Sequence, residues 1–353
     1  MNAIRNLILT TAIAATFTPA LRAGHQIAPA GKDMKSTAPV REWFPDEPLG
    51  MVTLGTQFSS NLSGVYLDSI TGIWSPQQRD AFLFLDGRYH YEDNGQFISS
   101  SGLGFRKLLP GRDVIIGVNA FYDSIHSERD NDFDQLGLGL EVLTKWVDFR
   151  FNYYLPDNDQ VLLDRRTGNS TSKSFGPGFT STTKTSKTFE RREAALEGFN
   201  AEIGINLPLC KHTEVRLYGG YYHYENPFGG DFNGFKARLE AHLLSGVIAN
   251  VEYWDDAELM GGHWTAEVSA SIPFSIYNLV TGRNPFEGAA ESFKPRQREF
   301  KERMSDMVIR SHRIQTVTSD YTLIDRSRST KTNVSAVAGP SAPASGGGLG
   351  VLE

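Results

Sequence analysis

The feature that most limits how this chain can fold is a period-two alternation of apolar and polar residues. It recurs between residues 52 and 274 in segments of about ten residues, parted by clusters of Gly, Asn, Asp and Pro. In one segment Val114, Ile116, Val118, Ala120 and Tyr122 share a face, and Gly117, Asn119 and Asp123 share the other. Leu136, Leu138, Leu140 and Val142 oppose Gln135, Gly137, Gly139 and Glu141 in the same way. Val147, Phe149, Phe151, Tyr153 and Leu155 alternate with Asp148, Arg150, Asn152 and Tyr154. Successive side chains of extended backbone point to opposite sides, so each segment is a strand with one oily face.

Alternation alone suits a soluble sandwich, polar face outward, as well as a membrane barrel, polar face inward. The chemistry of the polar face separates them. It mixes glycine and amides with acids and bases: Asp86, Arg88, Arg106, Gly117, Asn119, Asp123, Gly137, Gly139, Glu141, Asp148, Arg150, Asn152, Glu202, Gly204, Arg216, Arg238, Glu240, Glu252 and Glu267. Such a set fits a solvated, charge-balanced lumen, and these residues are expected to line a pore. Tyr89, Tyr122, Tyr153, Tyr221 and Tyr253, near segment ends, fit interfacial aromatic girdles. A length of about ten residues also matches a tilted membrane crossing.

Twelve strands are expected, near 52–58, 63–73, 81–91, 97–108, 113–125, 133–144, 147–155, 197–207, 214–224, 232–243, 247–254 and 263–274. The short connections 109–112, 145–146, 208–213 and 244–246 alternate with the longer 126–132, 156–196, 225–231 and 255–262. Short periplasmic turns and long outer loops alternate in this way in bacterial barrels. The expected fold is therefore all-β: a transmembrane antiparallel β-barrel of about twelve strands over 51–274, with a C-terminal linker and a flexible tail. No later stretch is long and apolar enough for a membrane helix.

The flanking segments carry other signals. Residues 1–23, with Arg5, the apolar run from Leu7 to Phe17, and small Ala20 and Ala23, read as a signal peptide for export. Residues 24–50 form a short periplasmic segment. Residues 275–316 are a linker, expected to form an amphipathic helix over 297–309 at the periplasmic mouth and then an extended stretch that brings Ile314 toward Arg150. Residues 317–353 are a polar, low-complexity tail containing the Pro/Ala/Ser/Gly tract 336–350, and the Ser/Thr/Gly/Lys tract 167–188 reads as a mobile, solvated loop.

A net charge of -6 gives no basic footprint for nucleic acid. The single cysteine, Cys210, excludes a disulfide framework. His90 and His242 read as hydrogen-bonding lumen residues, and Glu128, Asp130, Asp132 and Asp134 as a solvated loop. No spacing of Ser, His or carboxylates marks a catalytic, metal or cofactor site, and the chain is not expected to be an enzyme.

An ordered series of short motifs narrows the reading. It runs Gly102-Leu103-Gly104-Phe105-Arg106, Gly117-Val118-Asn119-Ala120-Phe121-Tyr122-Asp123, Phe133 through Glu141, Asn152-Tyr153-Tyr154-Leu155-Pro156, Gly198-Phe199-Asn200-Ala201-Glu202 and Leu207-Pro208. Over roughly 62–316 the series closely resembles the β-domain of inverse autotransporters, the intimin/invasin-type outer-membrane adhesins. The resemblance implies a twelve-stranded outer-membrane barrel whose C-terminal linker threads back through the pore to expose a passenger. Arg303 through Arg310, with Arg313-Ile314, resemble the start of that linker, which marks Met304, Val308, Arg310, Arg313 and Ile314. Phe274 resembles the terminal signal read by barrel-insertion machinery, with an ordinary girdle residue as the alternative.

The implied partners are outer-membrane lipid, the insertion machinery and periplasmic chaperones, with host or cell-surface ligands at the outer loops as a further reading. Two features depart from typical members: no anchoring domain is recognised before the barrel, and no immunoglobulin-like string after the linker. The expected function is thus a translocator and anchor without a folded passenger, exposing at most a short tail. A diffusive pore and an adhesin acting through its loops are the alternatives. Inward Gly117, Gly137, Gly139 and Gly204 either leave room for an occupant of the lumen or relieve curvature. Asn119, Asp123 and Arg150 either bond a threaded segment or pair across the lumen.

Overall fold

The structure, a computed structural model, describes residues 50–334 apart from 61–62, 77–79, 128, 158–159, 210–212, 256–261, 296–297 and 312. Twelve strands close into one antiparallel barrel. They are β1 (Gly50–Ser59), β2 (Gly64–Trp74), β3 (Ala81–Glu92), β4 (Phe97–Leu108), β5 (Val114–His126), β6 (Asp132–Thr144) and β7 (Val147–Pro156). The sequence then contributes β8 (Val161–Gly176) and β9 (Phe179–Ala195) outside the barrel, and returns with β10 (Gly198–Leu207), β11 (Glu214–Tyr224), β12 (Phe232–Leu244), β13 (Val247–Asp255) and β14 (His263–Phe274).

Each barrel strand pairs with its neighbour in sequence, except that β7 pairs with β10 across the excursion, and β14 pairs with β1 to close the ring from Gly50↔Phe274 to Ser59↔Thr265. Closure matters because an open edge would leave unpaired N–H and C=O groups in hydrocarbon.

The alternation read from the sequence is the alternation of the wall. Outward positions such as Leu54, Leu138, Leu140, Phe149 and Ile203 are exposed, at 63%, 43%, 54%, 45% and 58%. Their neighbours Asp123, Glu141, Asp148, Arg150 and Glu202 are buried. One-sided exposure of an apolar band is the signature of a lipid-facing wall.

Three expectations for the flanking segments are overturned. The tract 167–188 is not a mobile loop: it forms most of a long hairpin, β8 and β9, turned at its tip by Gly178 with φ of 77°. The tail is not wholly flexible, because β15 (Thr316–Thr318) and β16 (Thr322–Val334) both pair antiparallel with β9. Serine and threonine on both faces give no period-two contrast, so the sequence pattern does not mark these strands. Their formation rests on ladder pairing with one another and on the strand preference of β-branched threonine.

The helix expected over 297–309 is also absent. A short α-helix, α1 (Ile276–Val280), follows the barrel, capped by the side chain of Ser275. A 3-10 turn at Phe300–Ser305, held by reciprocal capping between Glu299 and Glu302, then gives way to extended chain. Residues 1–49, Glu128, Cys210 and the tract 336–350 lie outside the described residues.

A cation placed on the lipid face tests the orientation of the wall. Leu138→Arg should lower stability by about 2–4 kcal/mol, measured by urea unfolding from lipid vesicles. Lys173→Gln on the hairpin should leave the midpoint unchanged.

Candidate functional site in the barrel lumen

The short-turn end of the barrel receives the chain after β14, and the lumen contains residues 303–311 and 313–315. Met304 and Val308 are buried in an apolar cluster with Ile70, Phe82, Phe84, Ile115, Phe121 and Leu143. Ile314 is buried with Ile98, Ile125, Phe133 and Ala195, near the long-loop end. Beyond it, Leu196 N–H donates to the Gln315 carbonyl (2.8 Å), and β15 begins. The chain thus enters at one end and leaves at the other.

A backbone inside a closed barrel meets no free strand edge, so its polar groups must be satisfied by side chains. The wall supplies them. Arg106 donates to the carbonyls of Met304 (2.9 Å) and Asp306 (2.5 Å), and Arg88 to that of Val308 (3.1 Å). Asn152 donates to the Ile309 carbonyl (3.3 Å), and the Tyr154 hydroxyl accepts from Ser311 N–H (2.8 Å).

Two bidentate ion pairs fix the register of this segment. Arg303 reaches both oxygens of Asp148, at 3.0 and 2.7 Å, and donates to the Thr144 carbonyl at 2.8 Å. Arg310 grips both oxygens of Asp123, one at 2.7 Å, and its guanidinium lies over the Phe121 ring at 4.5 Å. All four side chains are almost wholly buried. Fork-to-fork pairing of guanidinium and carboxylate carries both energy and direction. Arg313, nearer the exit, contacts Glu92 (3.2 Å) and Gln96 (3.1 Å).

Among the four inward glycines, Gly137 makes room for the lumen segment, because a Cβ there would run into the Arg310 guanidinium. Gly117, Gly139 and Gly204 instead accommodate the wall side chains Glu141, Asn119 and Tyr218.

The remaining inward charges pair within the wall. Glu202 takes Arg150 (2.9 Å), Arg238 (2.7 Å) and Lys236 (3.2 Å), and Arg238 also binds Glu240 (2.5 Å). Arg216 joins Asp148 (3.1 Å) and Glu214 (2.6 Å), and Glu141 is held by Arg106 (2.5 Å). His242 contacts Glu240 (3.2 Å) and Arg298. Glu267 accepts from the Tyr66 hydroxyl, Glu252 from the Trp254 indole, and Arg88 pairs with Asp68 at 2.5 Å. Buried Asp86 finds no hydrogen-bond partner among the described residues.

The lumen segment leans toward β3–β7. On the opposite side it leaves a cavity of about 190 Å³, bounded there by Tyr66, Arg238, Glu252 and Glu267. Arg150 sits with Glu202, Asp148 and the Tyr218 ring, and Ile314, expected to approach it, is instead buried in the cluster with Ile98, Ile125, Phe133 and Ala195. Phe274 ends β14 at the closing seam and packs on Phe286, with ring centroids 5.7 Å apart.

Sequence reasoning missed Arg298, and it placed Arg303 and Asp306 in the linker motif without a role, because their roles depend on which wall residues they meet. It also missed the inward apolar residues. The signal was present in runs such as Ala81-Phe82-Leu83-Phe84-Leu85, where apolar residues on both faces break the alternation.

At the exit, the Tyr321 hydroxyl donates to Asp164 (2.5 Å), and Arg166 lies over the Tyr321 ring at 4.4 Å. The Tyr321 hydroxyl, followed by Arg166, holds the Asp164 carboxyl below its ordinary range. This link is complete above the ordinary carboxylate pKa and is lost as the pH falls through the lowered value.

A closed twelve-strand barrel with a lipid-facing belt and a charged interior is an outer-membrane protein of the Gram-negative type. The inverse autotransporter β-domain family matches residues 37–229, more than half of the sequence, and the chain belongs to that family. Its barrel is an anchor and translocator in the outer membrane.

No curated protein matches the sequence significantly. Among solved structures, a membrane protein studied for in-meso crystallization has the same fold. It matches with a TM-score of 0.54 and 16% identity, over 76% of this chain and 99% of that one. The outer membrane protein Omp33 of Acinetobacter baumannii gives 0.34 and 11%, over 65% and 99%. The β-domain of the Bordetella autotransporter Brka gives 0.27 and 13%, over 62% and 96%.

Breaking one lumen pair should cost more than removing it whole. Asp123→Leu alone should destabilise the barrel by about 3–5 kcal/mol in denaturant titration, because Arg310 is left buried and unpaired. Adding Arg310→Met should recover most of that loss. Equal losses in the single and double variants would show that the pair does not hold the segment.

Proposed function

We propose that the protein is an outer-membrane translocator and anchor of the inverse-autotransporter type, whose linker occupies the pore and whose following segment is displayed on the cell surface along the β8–β9 hairpin. The observation that carries this reading is the pair of buried salt bridges, Arg303 with Asp148 and Arg310 with Asp123, on a chain that enters at the short-turn end and exits at the long-loop end. In bacterial barrels the long loops face outward. Over the described residues the displayed part is a strand, β16, rather than a domain. The seam residue Phe274, ending β14, is the position that insertion machinery would read.

The diffusive-pore alternative has one observation in its favour, the cavity beside the linker. Against it stand the apolar cluster around Met304 and Val308 and the contact of Arg298 with His242 and Asp306.

Three measurements decide between these readings. An epitope appended after Glu353 should be reached by antibody on intact cells; protection until permeabilisation would defeat the display reading. Cysteines at 125 and 314, with Cys210→Ser, should form a disulfide in the outer membrane. In planar bilayers the intact protein should conduct weakly, and deletion of 282–353 should raise single-channel conductance several-fold.

A further inference from the structure

The hairpin with β16 makes a sheet in the order β8, β9, β16, and this sheet has no apolar side. Residues 167–175 of β8 and all of β16 are exposed. A sheet solvated on both faces lacks the burial that ordinarily stabilises three strands. Its charges are also one-sided. Between 167–188 and 325–334 there are six cations, Lys173, Lys184, Lys187, Arg326, Arg328 and Lys331, against one acid, Asp325, on a chain of net charge -6.

The base of the sheet behaves differently. There Arg165 and Arg192 pair with Glu190, Arg166 with Asp164, and Arg129 with Glu193. None of the six distal cations has an ion-pair partner among the described residues.

Register sorts these six onto two faces. Lys187 lies directly opposite Arg326, and Thr185 opposite Arg328, two residues along. These rows share a face with Gly168, Ser170, Ser172, Thr183 and Thr330; the nearest acid on that face, Asp164, lies two rows toward the base and is paired with Arg166, so the distal rows carry none. Lys173, Lys184 and Lys331 occupy the other face with Asp325. Like charges directly opposite across a ladder destabilise it. The Lys187–Arg326 row, with Arg328 beside it, lacks an anion, and Gly168 leaves the space next to Lys187 open.

We propose that the face bearing Lys187, Arg326 and Arg328 binds the phosphate groups of saccharide headgroups in the outer leaflet around the barrel. The sheet rises from the long-loop end of a barrel embedded in that leaflet, so phosphorylated lipopolysaccharide is its immediate neighbour. Hydroxyls of Ser170, Thr183 and Thr330 stand beside the cations as partners for sugar hydroxyls. Guanidinium groups suit phosphate geometrically, and clustered cations add along an anionic surface. The inference rests on the outward orientation given above.

The test uses the purified full-length protein and deacylated, fluorescently labelled lipopolysaccharide that keeps its phosphates. K187Q/R326Q/R328Q should weaken binding tenfold or more. K173Q/K184Q/K331Q, with the same change in net charge, should keep most of the affinity. Binding should fall with added salt and with phosphatase treatment of the saccharide. Equal loss in the two triple variants, no loss in the first, or undiminished binding of the dephosphorylated saccharide would overturn the proposal. Tighter binding of heparin, a sulfated polymer, would also overturn it by assigning the face to another polyanion. Trypsin cleavage at the hairpin on intact cells tests orientation separately; protection there would defeat the display reading whatever the binding result.

Discussion

A charge sealed in a narrow lumen must find a counter-charge, and the organisation of this protein follows from that requirement. The wall of the barrel is not electrostatically complete by itself. Glu202 is satisfied by Arg150, Arg238 and Lys236, all wall residues. Asp123, by contrast, has its only cationic partner among the described residues in Arg310, and Asp148 has its bidentate partner in Arg303. Removing a carboxylate from water costs several kcal/mol unless geometry and hydrogen bonds compensate. The lumen segment provides both, which makes it a structural member of the barrel as well as its occupant.

The same segment explains why the interior is not uniformly polar. Its carbonyls have no strand to pair with, so Arg88, Arg106 and Asn152 replace the ladder. Between these contacts Met304 and Val308 fill space against Phe82, Phe84 and Phe121, excluding water and strengthening the ion pairs nearby. The residual cavity lies on the opposite wall, where Glu252 and Glu267 are only half-buried. An extended chain is slender, and it can satisfy one side of a twelve-stranded barrel without filling the other.

Outside the membrane the governing physics changes. The three-stranded sheet formed by the hairpin and β16 is assembled by backbone pairing, with docking contacts at its base through Tyr321, Asp164 and Arg166. Its distal part is free for interaction, because residues 167–175 of β8 and all of β16 are exposed.

How much of this was legible depended on whether a residue's environment repeats along the chain. Lipid on one side and lumen on the other impose the same period-two choice on every wall strand, so the barrel, its strand count and the inward placement of Asp123, Asp148, Glu202 and Arg238 could be read from the sequence. The resemblance carried by ordered motifs identified the family and pointed to Arg310 and Ile314. The partners of those residues could not be read, because pairing Arg310 with Asp123 or Ile314 with Ile125 spans nearly two hundred residues and depends on how the strands stagger. Nor could the strands β8, β9 and β16, whose two solvated faces leave no contrast. Sequence alone determined the wall, through the repeated demand of hydrocarbon for apolar side chains. Only the tertiary structure decided what stands inside it and what is added outside it, because those contacts satisfy individual buried charges and single strand edges.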